Sequence, residues 1–222
     1  MLSMWIFKDR VEAGQKLGEA LLKHNYQHPL ILGLPRGGVI VAREVAQILH
    51  APLDVVVARK IGAPKQEEYG IGALSEDEIP LFHPAAVRNY DVESQDVFEI
   101  VFRERDELRR RVELYRWGRP LPEVKGKTVI VIDDGLAMGV TAAAAGKYLR
   151  SQEPKQLILA VPVGPQEFTE LVREPFDEII CLHQPSNYFG VGYWYDDFSQ
   201  VEDHEVLDAL TQRPKLPVNK EQ

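Results

Sequence analysis

Residues 128–141, Thr-Val-Ile-Val-Ile-Asp-Asp-Gly-Leu-Ala-Met-Gly-Val-Thr, place two carboxylates and a short loop between an apolar run and four alanines. Thr128 to Ile132 predict a strand buried on both faces, and the alanines predict a helix. The loop between them can hold an anion, because the first backbone N–H groups of a helix lack intrahelical partners and lie at its positive end. Asp133 and Asp134 cannot share that role. Ionised carboxylates only accept hydrogen bonds, so their partners are hydroxyl groups or a hard cation such as Mg²⁺. A ligand with a phosphate at one end and vicinal hydroxyls nearby, such as a ribose 5-phosphate, fits both halves.

Other segments carry recognition groups of their own. In Leu34-Pro35-Arg36-Gly37-Gly38 the two glycines allow close approach of backbone to a ligand, or simply make a tight turn. Arg59 and Lys60 close an apolar run. Ile61 to Gly72 contains three glycines, a proline and several charges, the composition of a mobile loop. Phe189 to Phe198 concentrates aromatic residues, which build either core or a stacking platform.

These groups need elements to position them. Asp9 with Glu12 reads as a capping box opening a helix that runs to about His24. Pro29 to Leu34 reads as a strand, Val39 to Leu49 as a helix and Leu53 to Ala58 as a second strand. Ile71 to Leu74 and Ile79 to Phe82 suggest a hairpin. Ser94 can cap a long helix with Val97, Val101, Leu108, Val112 and Tyr115 on one face, ending before Gly118. That face packs either on the domain or on a second subunit of a homodimer. Gln156 to Val163 and Glu178 to Leu182 read as further strands, separated by a short helix from near Pro165. Alternating strands and helices give an α/β fold with an open, mostly parallel sheet whose ligands bind beyond the strand C-termini. Residues 1–213 are expected to form one domain, with a loose tail over 214–222.

At 222 residues and 45% apolar content the chain can bury one sizeable core. A formal charge of −8 argues against nucleic acid, which requires a basic face. The arginines between Arg103 and Arg119 are interleaved with acids, the pattern of a solvated helix face. The single cysteine, Cys181, sits in an apolar run and is expected to be a buried, inert thiol, in keeping with a reducing cytoplasm. No apolar run is long enough to span a bilayer.

Taken together, the residue 128–141 string resembles the phosphoribosyl pyrophosphate (PRPP) signature of type I phosphoribosyltransferases. The strings Leu-Pro-Arg-Gly-Gly-Val, Arg-Lys-Ile-Gly-Ala-Pro and Asp-Asp-Gly-Leu-Ala are similar to those of an uncharacterised bacterial group within that family. The resemblance covers Phe7 to about Leu210 and implies that fold, with a small C-terminal hood over about 183–200 and an added long helix over about 94–117. It implies that Asp133 and Asp134 bind the ribose and Mg²⁺, and that Ala137, Met138, Gly139, Val140 and Thr141 hold the 5-phosphate. Met138 stands where the family usually has Thr, and Val140 where it has a small residue. By position, the Pro35–Arg36 peptide would be cis, with Pro35, Arg36, Gly37, Arg59 and Lys60 around the pyrophosphate. Gly62 to Gly72 would be a lid that excludes water. Phe189 would stack on the acceptor, and Asp196 or Asp197 would be a further metal-side acid. Ala137 occupies the place of the Asp general base of 6-oxopurine enzymes, whereas the hood aromatics resemble theirs, so the acceptor stays open. The activity implied is Mg²⁺-dependent transfer of phosphoribose to a nitrogen acceptor. The alternative is a PRPP-binding regulator without transfer activity. A dinucleotide-binding dehydrogenase is set aside, because no Gly-x-Gly-x-x-Gly turn follows a strand.

Overall fold

The apolar runs become strands in the computed structural model, which describes residues 6–211. In chain order the first half comprises α1 (Arg10–Leu22), β1 (Leu30–Gly33), α2 (Gly37–Ile48), β2 (Leu53–Val55), β3 (Ala58–Ala63), β4 (Gln66–Ser75), β5 (Leu81–Phe82) and α3 (Pro84–Asn89). Then follow α4 (Gln95–Arg116), β6 (Thr128–Ile132), α5 (Val140–Ser151), β7 (Gln156–Val163), α6 (Glu170–Arg173), β8 (Glu178–His183), a short 3₁₀ turn at Val191–Trp194, and α7 (Asp203–Thr211).

The main sheet has the order β2-β1-β6-β7-β8, and all of its pairings are parallel. From β1 the chain moves outward to β2, and from β6 it moves the other way to β7 and β8. The strand order therefore reverses between β1 and β6, and a ligand crevice forms where the loops after these two strands diverge. Both sequence strings with glycines and acids follow these two strands.

Strand alternation divides the core into two layers. Ile31, Ile130, Ile132, Ile158 and Ala160 face one side, with Leu17 of α1, Val41 of α2, Leu108 of α4 and Val206 of α7. Leu32, Val129, Val131, Leu157 and Leu159 face the other, with Ala142 and Leu149 of α5 and Val172 of α6. The long helix α4 is capped by Ser94, whose hydroxyl accepts from the Val97 N–H, and it ends at Trp117 in the left-handed region. Its buried stripe of Val97, Val101, Leu108 and Tyr115 packs onto this same domain.

Three expectations are corrected. Ile61 to Gly72 is not an irregular loop: β3, β4 and β5 form an antiparallel sheet, and the turn at Pro64–Lys65 joins β3 to β4. The glycines serve close strand approach, since a Cβ at Gly62 would lie 2.4 Å from the Glu67 carbonyl oxygen. The helix expected near Pro165 starts at Glu170, after Thr169. β2 stops at Val55, and the chain re-forms a strand in the second sheet at Ala58. Helices α3 and α7 were not anticipated. The tail from residue 214 lies outside the described residues. No helix among the described residues is long and apolar enough to cross a membrane.

Candidate functional site

Gly139 takes the left-handed turn that opens α5, with φ 70°. Val140 is thereby spared a conformation that a β-branched residue resists, and starts the helix itself. α5 has no side-chain cap, so its first N–H groups are turned toward the loop that Ala137 and Met138 expose. That loop borders a cavity of about 290 Å³ lined by Lys60, Tyr69, Gly70, Asp133, Gly135 to Thr141, and Val191. The expected phosphate loop, one acid and one lysine thus share one space. The hood lies directly on it: a Cβ at Gly135 would be 2.5 Å from Val191 Cγ1.

The two acids are unequal. Asp133 lines the cavity, and its Oδ1 accepts the Asp134 N–H at 2.9 Å. The Asp134 carboxylate accepts from Arg10 Nε at 2.7 Å, while its carbonyl accepts the Tyr195 hydroxyl at 2.6 Å. Burial, reinforced by the neighbouring Asp134 charge, raises the Asp133 pKa well above the usual carboxylate range. Burial also raises Asp134, against the opposing pull of Arg10. Burial and the Asp134 charge push the Tyr195 phenol up, keeping it a hydrogen-bond donor.

The basic residues separate as strand alternation requires. Lys60 faces the cavity, whereas its neighbour Arg59 turns to α4 and binds Glu104 through Nε at 2.9 Å and Nη2 at 2.6 Å. Arg36 stands at the N-terminal boundary of α2 without a side-chain capping bond, and its guanidinium lies 3.6 Å from Glu202 and 3.9 Å from Asp203. The Pro35–Arg36 peptide is cis, as the resemblance implied. Gly37 and Gly38 come against the acids: a Cβ on Gly38 would be 2.8 Å from Asp133 Cα.

The C-terminal expectations fare differently. Phe189 is 74% exposed, beside Tyr193 at 6.0 Å between ring centres, and it does not line the cavity. Val191 is the hood residue that does. Asp196 also stands outside the lining, and its N–H donates to the Phe7 carbonyl. Among the described residues no group of three or more His, Cys, Asp or Glu is arranged to hold a metal. Cys181 is half-buried, and burial lifts its thiol to about 11. Sequence reasoning missed Arg10, Tyr69 and Tyr195. Arg10 follows the cap Asp9 and carried no signal beyond that cap, and Tyr69 was hidden in a segment read as loop.

The sequence matches the phosphoribosyl transferase domain model over residues 8–197. The chain belongs to the phosphoribosyltransferase family. Two Mycobacterium tuberculosis proteins, from strains CDC 1551 and H37Rv, each described as a "putative phosphoribosyl transferase", are 39% identical to it over 207 residues. The match takes in 93% of this chain and 47% of theirs, so the chain spans about half the length of these curated relatives. A crystal structure of a Thermus thermophilus protein is 40% identical, with a TM-score of 0.74 over 92% of this chain and 97% of that one. This phosphoribosyltransferase-family fold therefore extends over nearly the whole chain.

Proposed function

We propose that the protein transfers the phosphoribosyl group of PRPP to a nitrogen acceptor, a nucleobase by preference, with release of pyrophosphate, as a step in nucleotide salvage. One observation carries the reading: Asp133, Lys60 and the N-terminus of α5 border a single cavity at the strand-order switch point.

The 5-phosphate would lie against the amides of residues 137–141, where the helix start favours negative charge. Asp133 and Asp134 would take the ribose hydroxyls. Cleavage of the bond to pyrophosphate builds positive charge on the ribose ring, as in glycoside cleavage, and acids beside the ring stabilise it. Lys60 offers a cation to the departing pyrophosphate. Val191 and the β3–β4 ribbon narrow the cavity and help keep water from the reactive ring.

Mg²⁺ fits the donor chemistry, since it takes one or two carboxylates together with phosphate oxygens of the substrate. Asp133 is the protein ligand the cavity offers, with Asp134 beside it; Asp196 is not placed there. Once bound, the ion would neutralise charge on the pyrophosphate.

A second reading, a PRPP-binding regulator, is favoured by Ala137, which stands in the cavity lining where 6-oxopurine enzymes carry an Asp general base. Pyrophosphate release from Mg²⁺-PRPP, screened over nucleobases and small nitrogen or amide acceptors, separates the readings. Release with one acceptor supports transfer. PRPP binding without release for any acceptor supports the regulator, and absence of PRPP binding removes both.

A further inference from the structure

Arg10, the first residue of α1, joins three parts of the molecule. Its Nε donates to Asp134 Oδ2 at 2.7 Å, and its Nη1 donates to the Ser199 carbonyl at 2.8 Å. Its guanidinium carbon lies 3.9 Å from the centre of the Phe198 ring. The side chain is 11% exposed. Two N–H groups and the flat face of one cation are thus used at once, an arrangement open to arginine and closed to lysine.

The surroundings tie this cation to the binding site and the hood alike. A Cβ on Gly37 would come within 2.7 Å of Arg10 Nε, so the loop after β1 touches the pair. Phe7, three residues before Arg10, donates its N–H to Trp194 and accepts from Asp196, and Asp197 donates to Lys8. The start of α1 is therefore fastened to the hood by backbone bonds, and Arg10 passes on to the Asp134 carboxylate. Asp134 needs such a partner. Its carboxylate is poorly exposed, and the adjacent Arg10 cation both offsets that burial and fixes where it rests.

We propose that Arg10 is a positioning residue that couples the seating of the hood to the Asp134 carboxylate, so that PRPP affinity depends on this guanidinium. The inference rests on the phosphoribosyl-transfer reading above. Movement of the segment carrying Phe198 and Ser199 is transmitted to the ribose acid through Arg10, with no contact between hood and acid side chain needed.

The test compares Arg10→Met, Arg10→Lys, Phe198→Ala and Asp9→Ala by calorimetric titration with Mg²⁺-PRPP and by urea unfolding. Asp9→Ala is the control: it removes the cap on Glu12 N–H and weakens α1, yet leaves every side-chain contact of Arg10 intact. Arg10→Met is expected to raise the PRPP Kd at least tenfold, and Arg10→Lys and Phe198→Ala at least threefold. Asp9→Ala should lower the urea midpoint while leaving the PRPP Kd within twofold of the parent. Unchanged affinity in Arg10→Lys and Phe198→Ala overturns the proposal even if Arg10→Met does not fold. Equal loss of affinity in Asp9→Ala and Arg10→Met also overturns it, since the arginine would then act through fold stability alone. A parent protein that does not bind PRPP removes the underlying reading, a failure visible before any variant is compared.

Discussion

Gly37 stands so close to Asp134 that a Cβ on the glycine would lie 2.0 Å from Asp134 Oδ2. No side chain fits at that distance. In Gly37→Ala either the carboxylate leaves Arg10 or the loop after β1 shifts. Overpacking of this kind costs about 1–3 kcal/mol. The expected result is a lower urea midpoint together with at least a tenfold weaker PRPP affinity. An alanine variant that binds PRPP as the parent does would show that the glycine serves the turn and not the approach to the acid.

Burial raises the pKa of both Asp133 and Asp134, yet their removal should affect stability differently, because Asp134 is the one of the two that is ion-paired to Arg10. A carboxyl whose folded pKa is raised adds stability below the ordinary carboxylate range near pH 4, and that contribution is lost as pH rises through the raised value. Burial places both acids in this class, Asp134 against the opposing pull of Arg10. At pH 7, Asp133→Asn is therefore expected to be more stable than the parent by about 1 kcal/mol, with the gap closing toward pH 4. Asp134→Asn removes the charged partner of a poorly exposed arginine and should cost about 1–2 kcal/mol. Both variants should lose PRPP binding. Urea midpoints from pH 4 to 8 check the signs; an Asp133→Asn protein less stable at pH 7 would show that burial of this carboxylate is fully compensated.

Arg59 and Lys60 are neighbours in sequence with opposite duties. Lys60→Ala is expected to reduce turnover or PRPP affinity at least a hundredfold, because the side chain faces the cavity. Arg59→Ala breaks the shorter of the ion pairs that Glu104, which is 10% exposed, makes with Arg59 and Arg103, leaving the one to Arg103 at 3.5 Å, and should cost about 1 kcal/mol. Its effect on PRPP binding should be the smaller of the two. Parallel calorimetry and urea melts of both variants test the division, and a larger binding loss in Arg59→Ala would reverse the assignment.

The parallel sheet was legible because its strands are uninterrupted apolar runs, and the anion loop because Gly139 and the alanines mark a helix start after Asp134. Three-dimensional placement was less so. Arg59 and Lys60 look equivalent as letters, and only strand alternation assigns one to α4 and the other to the cavity. The glycines of residues 62–72 signal loop by composition, yet Gly62 and Gly72 are there because neighbouring strands approach too closely for a Cβ. Arg10 lies 124 positions from Asp134, a pairing that no local pattern carries.

The β3–β4 ribbon bears the last prediction. Its base belongs to the core: Ile61, Ile71 and Leu74 are fully buried, and Lys60 pairs with Ala73 and Ile61 with Gly72 in the ladder. Its outer part is irregular, with register shifts on both sides of Gly62 and a turn at Pro64–Lys65. Tyr69 and Gly70, in that outer part, line the cavity. Amides that pair at the base, over 58–61 and 72–75, should therefore exchange slowly in the free protein, while those from Lys65 to Glu67 exchange fast. Addition of Mg²⁺-PRPP should slow exchange at Tyr69 and Gly70 at least tenfold and leave the base amides of 72–75 unchanged, because the ribbon residues that line the cavity are Lys60, Tyr69 and Gly70. Hydrogen exchange resolved to single peptides measures this. If exchange at Tyr69 and Gly70 does not respond to bound PRPP, the ribbon is a fixed wall of the cavity and water must be excluded by the hood residue Val191 without help from the ribbon.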